Sequence, residues 1–301
     1  MKIRVATANV ENLFARYNFR KDFDPQSQTG FGVNDLAFDL YDQDARKITG
    51  KTLREVDADI LCLQEVENLE VLERFNSRYL GRMKYKHRIV IDSHDPRHID
   101  VAVLSRFPLN NIRTHRHERN ANNTYWLFSR DNLEVDVDIE GAVITLMVNH
   151  FKSMIYTREE TKSRREPQVE RVAEIVDERF KENKYEDHYI VLGDFNDYVQ
   201  GDTALKDLIN HPKLHSITEG EDEKDCFTHF YAKKNEYRQL DFILLSPSLK
   251  ALIDETDGKY KIERRGLPWR AEEVTVDRFD DIGWDSPKAS DHCPIAVDLD
   301  I

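Results

Sequence analysis

Residues 189–198 read YIVLGDFNDY: a stretch suited to a buried strand runs directly into Gly193, Asp194, Phe195, Asn196 and Asp197. Polar groups there are costly to bury without partners. One such ending is an ordinary turn signal, but repetition implies strands that share a polar edge. The pattern recurs. IRVATAN (3–9) ends at Asn9, with Glu11 and Asn12 following, and ILCLQ (60–64) leads into Glu65. VITLMVN (143–149) delivers Asn149, His150, Lys152 and Ser153. Asp241 lies near the start of LDFILLS (240–246), and Asp291 and His292 immediately precede PIAVDL (294–299).

These runs, with VAVLS (101–105), are nearly continuous in apolar residues, as strands covered on both faces are. LEVDVDI (133–139) alternates and reads as a half-exposed or edge strand. Helices are expected at 42–57, 68–80, 162–182 and 202–210. The third is clearest, with Val169, Val172, Ala173, Val176 and Phe180 on one face. Asn68 and Asp202 suit N-caps. Long polar connections fall at 15–41, 106–124 and 254–290, and none resembles an interdomain linker. The expectation is one α/β domain over 1–301: two sheets face to face with helices on both outer faces.

The 301 residues are 40% hydrophobic, enough for a substantial core. No apolar run approaches the roughly 20 residues of a membrane span. The N-terminus, MKIRVATANVENLF, reads as a first strand rather than a signal peptide. That favours a cytoplasmic protein, or a secreted one if a leader has been removed. Cys62, Cys226 and Cys293 are odd in number and lack CxxC spacing, so they read as buried free thiols. The net charge of −13 argues against broad electrostatic binding to nucleic acid. A bound cation can still neutralise a polyanionic substrate locally. No obligate protein partner is evident, and a monomer is expected.

The ordered blocks ATANVENLF, ILCLQEVEN, HIDVAVLSRFP, FSRDNLEV, VNHFKS, VLGDFND, QLDFILLSP and ASDHCPI resemble those of the endonuclease/exonuclease/phosphatase superfamily. That group includes pancreatic-type deoxyribonuclease, abasic-site endonucleases, inositol-polyphosphate phosphatases and neutral sphingomyelinases. The likeness is greatest to a bacterial deoxyribonuclease-I-like subgroup and runs from residue 3 to residue 299. It implies a four-layered α/β sandwich with two mixed sheets, and a Mg²⁺- or Mn²⁺-dependent phosphodiesterase, an endonuclease on DNA. A phosphatase or phosphodiesterase for a small or lipid-linked ester is the alternative.

The resemblance also implies roles. Glu65 would be the principal metal ligand, with Asn9 and Asp291 completing or adjoining the site; a hard cation prefers such oxygen donors. Asp194 would orient or deprotonate the attacking water, and Asn196 would donate to a phosphate oxygen. His292, backed by Asp241, would face the scissile phosphate. His150 would be oriented by Asp100. Arg130 resembles a phosphate-contacting arginine, against the plainer reading of a loop arginine paired with Asp131. Where some relatives carry a Tyr, this chain reads RHID, with Arg97 or His98 in its place. Lys152, Arg113 and Arg116 complete the substrate-phosphate candidates. The last two belong to a basic cluster with His115, His117 and Arg119, which competes with the reading of a solvated face. A second cluster is Arg158, Lys162, Arg164 and Arg165. Trp269 and Trp284 could stack on a base or pin their loop.

Overall fold

The computed structural model describes residues 1–19, 36–256 and 258–301. In chain order its first half runs β1 (Lys2–Leu13), β2 (Ala15–Phe19), β3 (Leu36–Leu40), α1 (Gln43–Val56), β4 (Ile60–Val66), α2 (Leu69–Tyr79), β5 (His87–Val90), β6 (Asp100–Ser105), β7 (Leu109–Thr114) and β8 (Asn132–Ile139). The second half comprises β9 (Ala142–His150), α3 (Arg158–Phe180), β10 (His188–Asp194), α4 (Lys206–Ile209), β11 (His215–Ser216), α5 (Glu223–Cys226), β12 (His229–Tyr231), β13 (Glu236–Arg238), β14 (Asp241–Leu245), α6 (Pro247–Lys250), β15 (Lys261–Ile262) and β16 (Ile295–Asp300).

Two six-stranded sheets have the orders β15-β16-β1-β4-β6-β5 and β11-β14-β10-β9-β8-β7. Both follow one plan. A parallel central pair, β1–β4 or β10–β9, is flanked by antiparallel neighbours. Strand period then sorts the side chains. Ile3, Val5, Cys62, Val103, Val135, Leu146, Leu192 and Ile243 belong to one buried cluster between the sheets. Ala6, Ala8, Leu61 and Leu63 face outward and pack with Leu53 and Val56 of α1 and Leu72 and Phe75 of α2. Met147, Val191 and Phe242 pack likewise with Val169, Val172 and Val176 of α3. The four-layered sandwich follows, because every central strand must be covered on both faces. The three cysteines are free and buried, and among the described residues no helix is long and apolar enough to cross a membrane.

Several local expectations need correction. The 133–139 stretch is an interior strand with two of its three polar residues, Glu134 and Asp136, also buried; Glu134 is paired to His115 at 2.6 Å and Arg179 at 3.3 Å. Alternation here separates an apolar face from a polar one, where Glu134 is ion-paired and Asp136 accepts from Asn111 and Thr145. The 106–124 connection contains β7, an edge strand. Within 15–41 lie β2 and β3, which pair with each other; its residues 20–35 are outside the described residues. Asn68 does cap α2, accepting from the Val71 amide. Asp202 caps nothing, since the helix is only 206–209 and the carboxylate pairs with Lys162 and Lys206. The long helix starts at Arg158, capped by Thr157, and ends at Phe180.

Candidate active site

Three adjacent strands of the second sheet set the centre. Asp194 on β10 lies in register with His150 on β9 and with Asp241 on β14. One level of the sheet therefore carries an imidazole and two carboxylates. Gly193 permits this: its φ is 133°, and a Cβ would stand 2.0 Å from the Asn149 carbonyl oxygen. Only glycine fits there. The chain then turns through Asn196, at φ 49°. The Asn196 backbone amide donates to Asp194 Oδ1 at 2.8 Å, and its side chain donates to Asp194 Oδ2 and to the Phe151 carbonyl. Asp197 carries the turn itself, accepting from Arg158, Arg165 and the Ala204 amide.

The first sheet supplies the opposing half. Pairing shifts register near the ends of β1 and β4, and Glu65 takes a left-handed conformation at φ 66°. Such irregularities re-aim side chains at a strand end. Asn9 Nδ2 donates to Asp194 Oδ2 at 3.0 Å while its Oδ1 accepts from the Glu11 amide. Glu65 Oε2 accepts from the Asn12 amide at 2.9 Å, and Oε1 stands 3.9 Å from His150 Nε2. His292 Nδ1 donates to Asp241 Oδ2 at 2.8 Å. Its Nε2 lies 3.8 Å from Asp194 Oδ2, and His150 Nε2 lies 3.5 Å from the same oxygen. Asp194 Oδ2 is thus a hub for two amides and two imidazoles.

The two histidines differ in charge. Burial pushes His292 down, but Asp241 and Asp194 outweigh it and hold the imidazole well above its usual range. Burial, Arg130 and His292 push His150 well below its usual range, so it is neutral. Its Nδ1 has no hydrogen-bond partner among the described residues. Facing carboxylates on the other side assign its proton to Nε2. Burial, with help from Asp241, raises the Asp194 carboxyl above the usual range. The Glu65 carboxyl is raised by burial and by the charges of Asp291 and Asp194.

The structure therefore gathers Asn9, Glu65, His150, Asp194, Asn196, Asp241, Asp291 and His292. It does not join Asp100 to His150: Asp100 Oδ1 accepts from the Ser93 amide, and burial raises its carboxyl to about 7. Arg130 is 1% exposed and pairs with Asp95, not Asp131, while its Nη1 donates to the Phe151 carbonyl. Lys152 is half-buried beside that arginine. Arg113 lies on β7 near Glu134, and Arg116 donates to the Asp92 carbonyl, so neither bonds to the cluster. Arg97 is held by Asp95. Trp269 and Trp284 are 49% and 59% exposed.

Sequence reasoning gave no site role to three residues. Asp95, in SHDP, anchors both Arg97 and Arg130. Glu11 accepts from the Asp291 amide and from Lys288. His229 places its ring 4.6 Å from that of His292 and its Nε2 3.8 Å from Asp291 Oδ2. The FTHFY context gave no local hint of this, because it depends on the long-range pairing of His229 with His292.

Metal candidates can be weighed on these contacts. Among the described residues, two trios bring ligand atoms within 4.8 Å of one another, His229–Asp291–His292 and Asp194–Asp241–His292. The second is explained by the His292–Asp241 hydrogen bond and by the internal bonds of Asp194. Glu65 belongs to neither trio, and Asn9 has both ends of its amide engaged. Asp291 is different. His229, Lys288 and His292 overcome its burial and keep it ionised, and its side chain is 38% exposed. Glu65 and Asp291 raise local negative charge that a hard divalent cation fits.

Two packed sheets with an acid–imidazole centre at their shared mouth define this as an α/β sandwich of the phosphoester-hydrolase type. The chain belongs to the Endonuclease/Exonuclease/phosphatase family, which it matches over residues 4–263. No curated protein sequence matches it. Among solved structures it is similar to humanized D. rerio TDP2 (17% identity, 100% of this chain and 99% of that chain, TM-score 0.62). It is also similar to the human Nocturnin catalytic domain with bound sulfate (18%, 99% and 94%, TM-score 0.62). A third likeness is the endonuclease/exonuclease/phosphatase from Bacteroides vulgatus (14%, 100% and 99%, TM-score 0.60). At these identities the likenesses speak for the fold alone.

Proposed function

We propose that this protein is a divalent-metal-dependent phosphodiesterase that cleaves DNA. The observation that carries the reading is Asp194 Oδ2, held by Asn9 and Asn196 within 3.1 Å and faced by His150 and His292 within 3.8 Å. Those amides fix the carboxylate, and its raised proton affinity suits it to take a proton from an attacking water. The water would approach phosphorus in line with the leaving 3′ oxygen, leaving a 5′-phosphate. Cationic His292 would stabilise charge developing on the phosphoryl oxygens. Neutral His150 would donate from Nε2 to the same oxygens. Asp241 holds the His292 ring by its Nδ1. Glu65 and Asp291 would hold Mg²⁺ or Mn²⁺, whose chemistry is to neutralise phosphate charge and aid the leaving oxygen.

DNA as substrate draws support from D. rerio TDP2, whose structure is described as complexed with single strand DNA product. A small or lipid-linked phosphate ester is the second reading. It is favoured by the net charge of −13 and by the internal engagement of His115 and Arg116. The deciding experiment is an activity panel with Mg²⁺ or Mn²⁺ over intact, nicked and abasic DNA, RNA, inositol phosphates and sphingomyelin. DNA cleavage leaving 5′-phosphate supports the first reading. Turnover of small esters alone transfers support to the second, and inactivity on every substrate refutes both.

A further inference from the structure

A cavity of about 600 Å³ opens from Asn196, Asp291 and His292 and continues well past them. One side is the segment 153–159, and the other is the β12–β13 hairpin. Its volume lies in the range of sites that enclose a drug-sized molecule, far more than one phosphate group occupies. The lining is chemically mixed in a specific way. Tyr156 is 79% exposed and Tyr231 is 38% exposed, so each offers a ring to a ligand. Lys233 and Lys234, at the hairpin tip, are exposed and make no ion pair among the described residues. Tyr198, by contrast, is already occupied: Arg158 and Arg238 sit 3.7 and 4.9 Å from its ring centroid. It forms a fixed part of the lining.

Flat aromatic rings beside unpaired cations suit a ligand that alternates flat aromatic groups with anions. A nucleic-acid strand is such a ligand, because every base has a π-face and every linkage a charge. We propose that this cavity seats the nucleotide next to the scissile phosphate in a single-stranded segment. Tyr156 and Tyr231 contact its base, and Lys233 and Lys234 meet its far phosphate. This rests on the phosphodiesterase reading and adds the feature that selects the substrate. It also reconciles a negative protein with a polyanionic substrate. The positive charge is local: Lys233, Lys234, Arg158 and Arg238 line the cavity together with the carboxylates of Glu159, Glu236 and Asp291, and the tyrosine rings add stacking.

The test pairs two readouts that fail separately. Binding is followed by fluorescence anisotropy of a labelled single-stranded hexanucleotide, with Ca²⁺ in place of Mg²⁺. The catalytic centre is followed by hydrolysis of bis(4-nitrophenyl) phosphate, which is too short to reach the hairpin tip. Tyr156→Ala and Tyr231→Ala should each weaken hexanucleotide binding about tenfold, and a hexanucleotide abasic throughout should bind wild type and both variants alike. The Lys233→Ala/Lys234→Ala double variant should flatten the salt dependence of binding. The lysine double variant should hydrolyse the small diester as wild type does, and the tyrosine variants should keep its kcat, any stacking on a nitrophenyl ring being confined to KM. Hexanucleotide affinity unchanged in every variant overturns the proposal, even if the small diester is hydrolysed. Variants that lose the hexanucleotide while wild type hydrolyses neither DNA nor the small diester would keep the pocket and overturn the phosphodiesterase reading.

Discussion

His292 Nδ1 lies 2.8 Å from Asp241 Oδ2, and that carboxylate is fully buried. The pair fixes the ring and its charge together. Asp241→Asn keeps a hydrogen-bond acceptor but removes the charge that raises the imidazole. The alkaline limb of the kcat–pH profile should move down by at least about one unit. The sign follows from direction: a raised imidazole is cationic until pH passes its folded value, so lowering that value ends activity sooner. A profile identical to wild type would remove His292 from charge stabilisation.

Asp100 offers a stability switch apart from the chemistry. Its folded carboxyl titrates near 7 because it is buried. A raised carboxyl contributes stability below its unfolded pKa and loses it as pH rises through the folded value. Asp100→Asn should therefore stabilise the protein by roughly 1–3 kcal/mol at pH 8 and little at pH 4. Denaturant melts at both pH values check this. Because Asp100 makes no bond to His150, kcat should not change; a large loss would restore its role as the orienting acid.

Glu65→Gln tests the metal assignment without relying on turnover. Calorimetric titration with Mn²⁺ should show affinity reduced tenfold or more, with the fold unchanged by circular dichroism. Chelation of divalent ions should abolish wild-type activity, and Mg²⁺ or Mn²⁺ should restore it. Equal Mn²⁺ affinity in variant and wild type would exclude Glu65 as a ligand.

Gly193→Ala should cost about 3 kcal/mol or more, since the alanine would be strained at φ 133° and its Cβ would stand 2.0 Å from the Asn149 carbonyl oxygen. Asp197→Ala should cost a similar amount, about 3–5 kcal/mol, by leaving buried Arg165 unpaired. Urea midpoints at constant slope give both numbers. A midpoint within experimental scatter of wild type for Gly193→Ala would show that β10 can move away from β9.

The layers of this fold and the position of its mouth can be read from the chain alone. Apolar runs such as 60–64 and 189–193 have to be covered on both faces, and polar residues after them have to sit where the covering ends. Those are local rules of strand period and desolvation, so they are legible without a fold. Which of those polar residues act together depends on how the sheets and loops pack. The bond from Asn9 to Asp194 spans two sheets, and His229 meets Asp291 through the isolated pairing of His229 with His292. Asp100 bonds to the Ser93 amide and not to the His150 that the resemblance implied, and Arg130 pairs with Asp95 and not with its neighbour Asp131. Partners are chosen in three dimensions because a buried charge is compensated by whatever group packing brings within a few ångströms, and sequence distance does not enter that interaction.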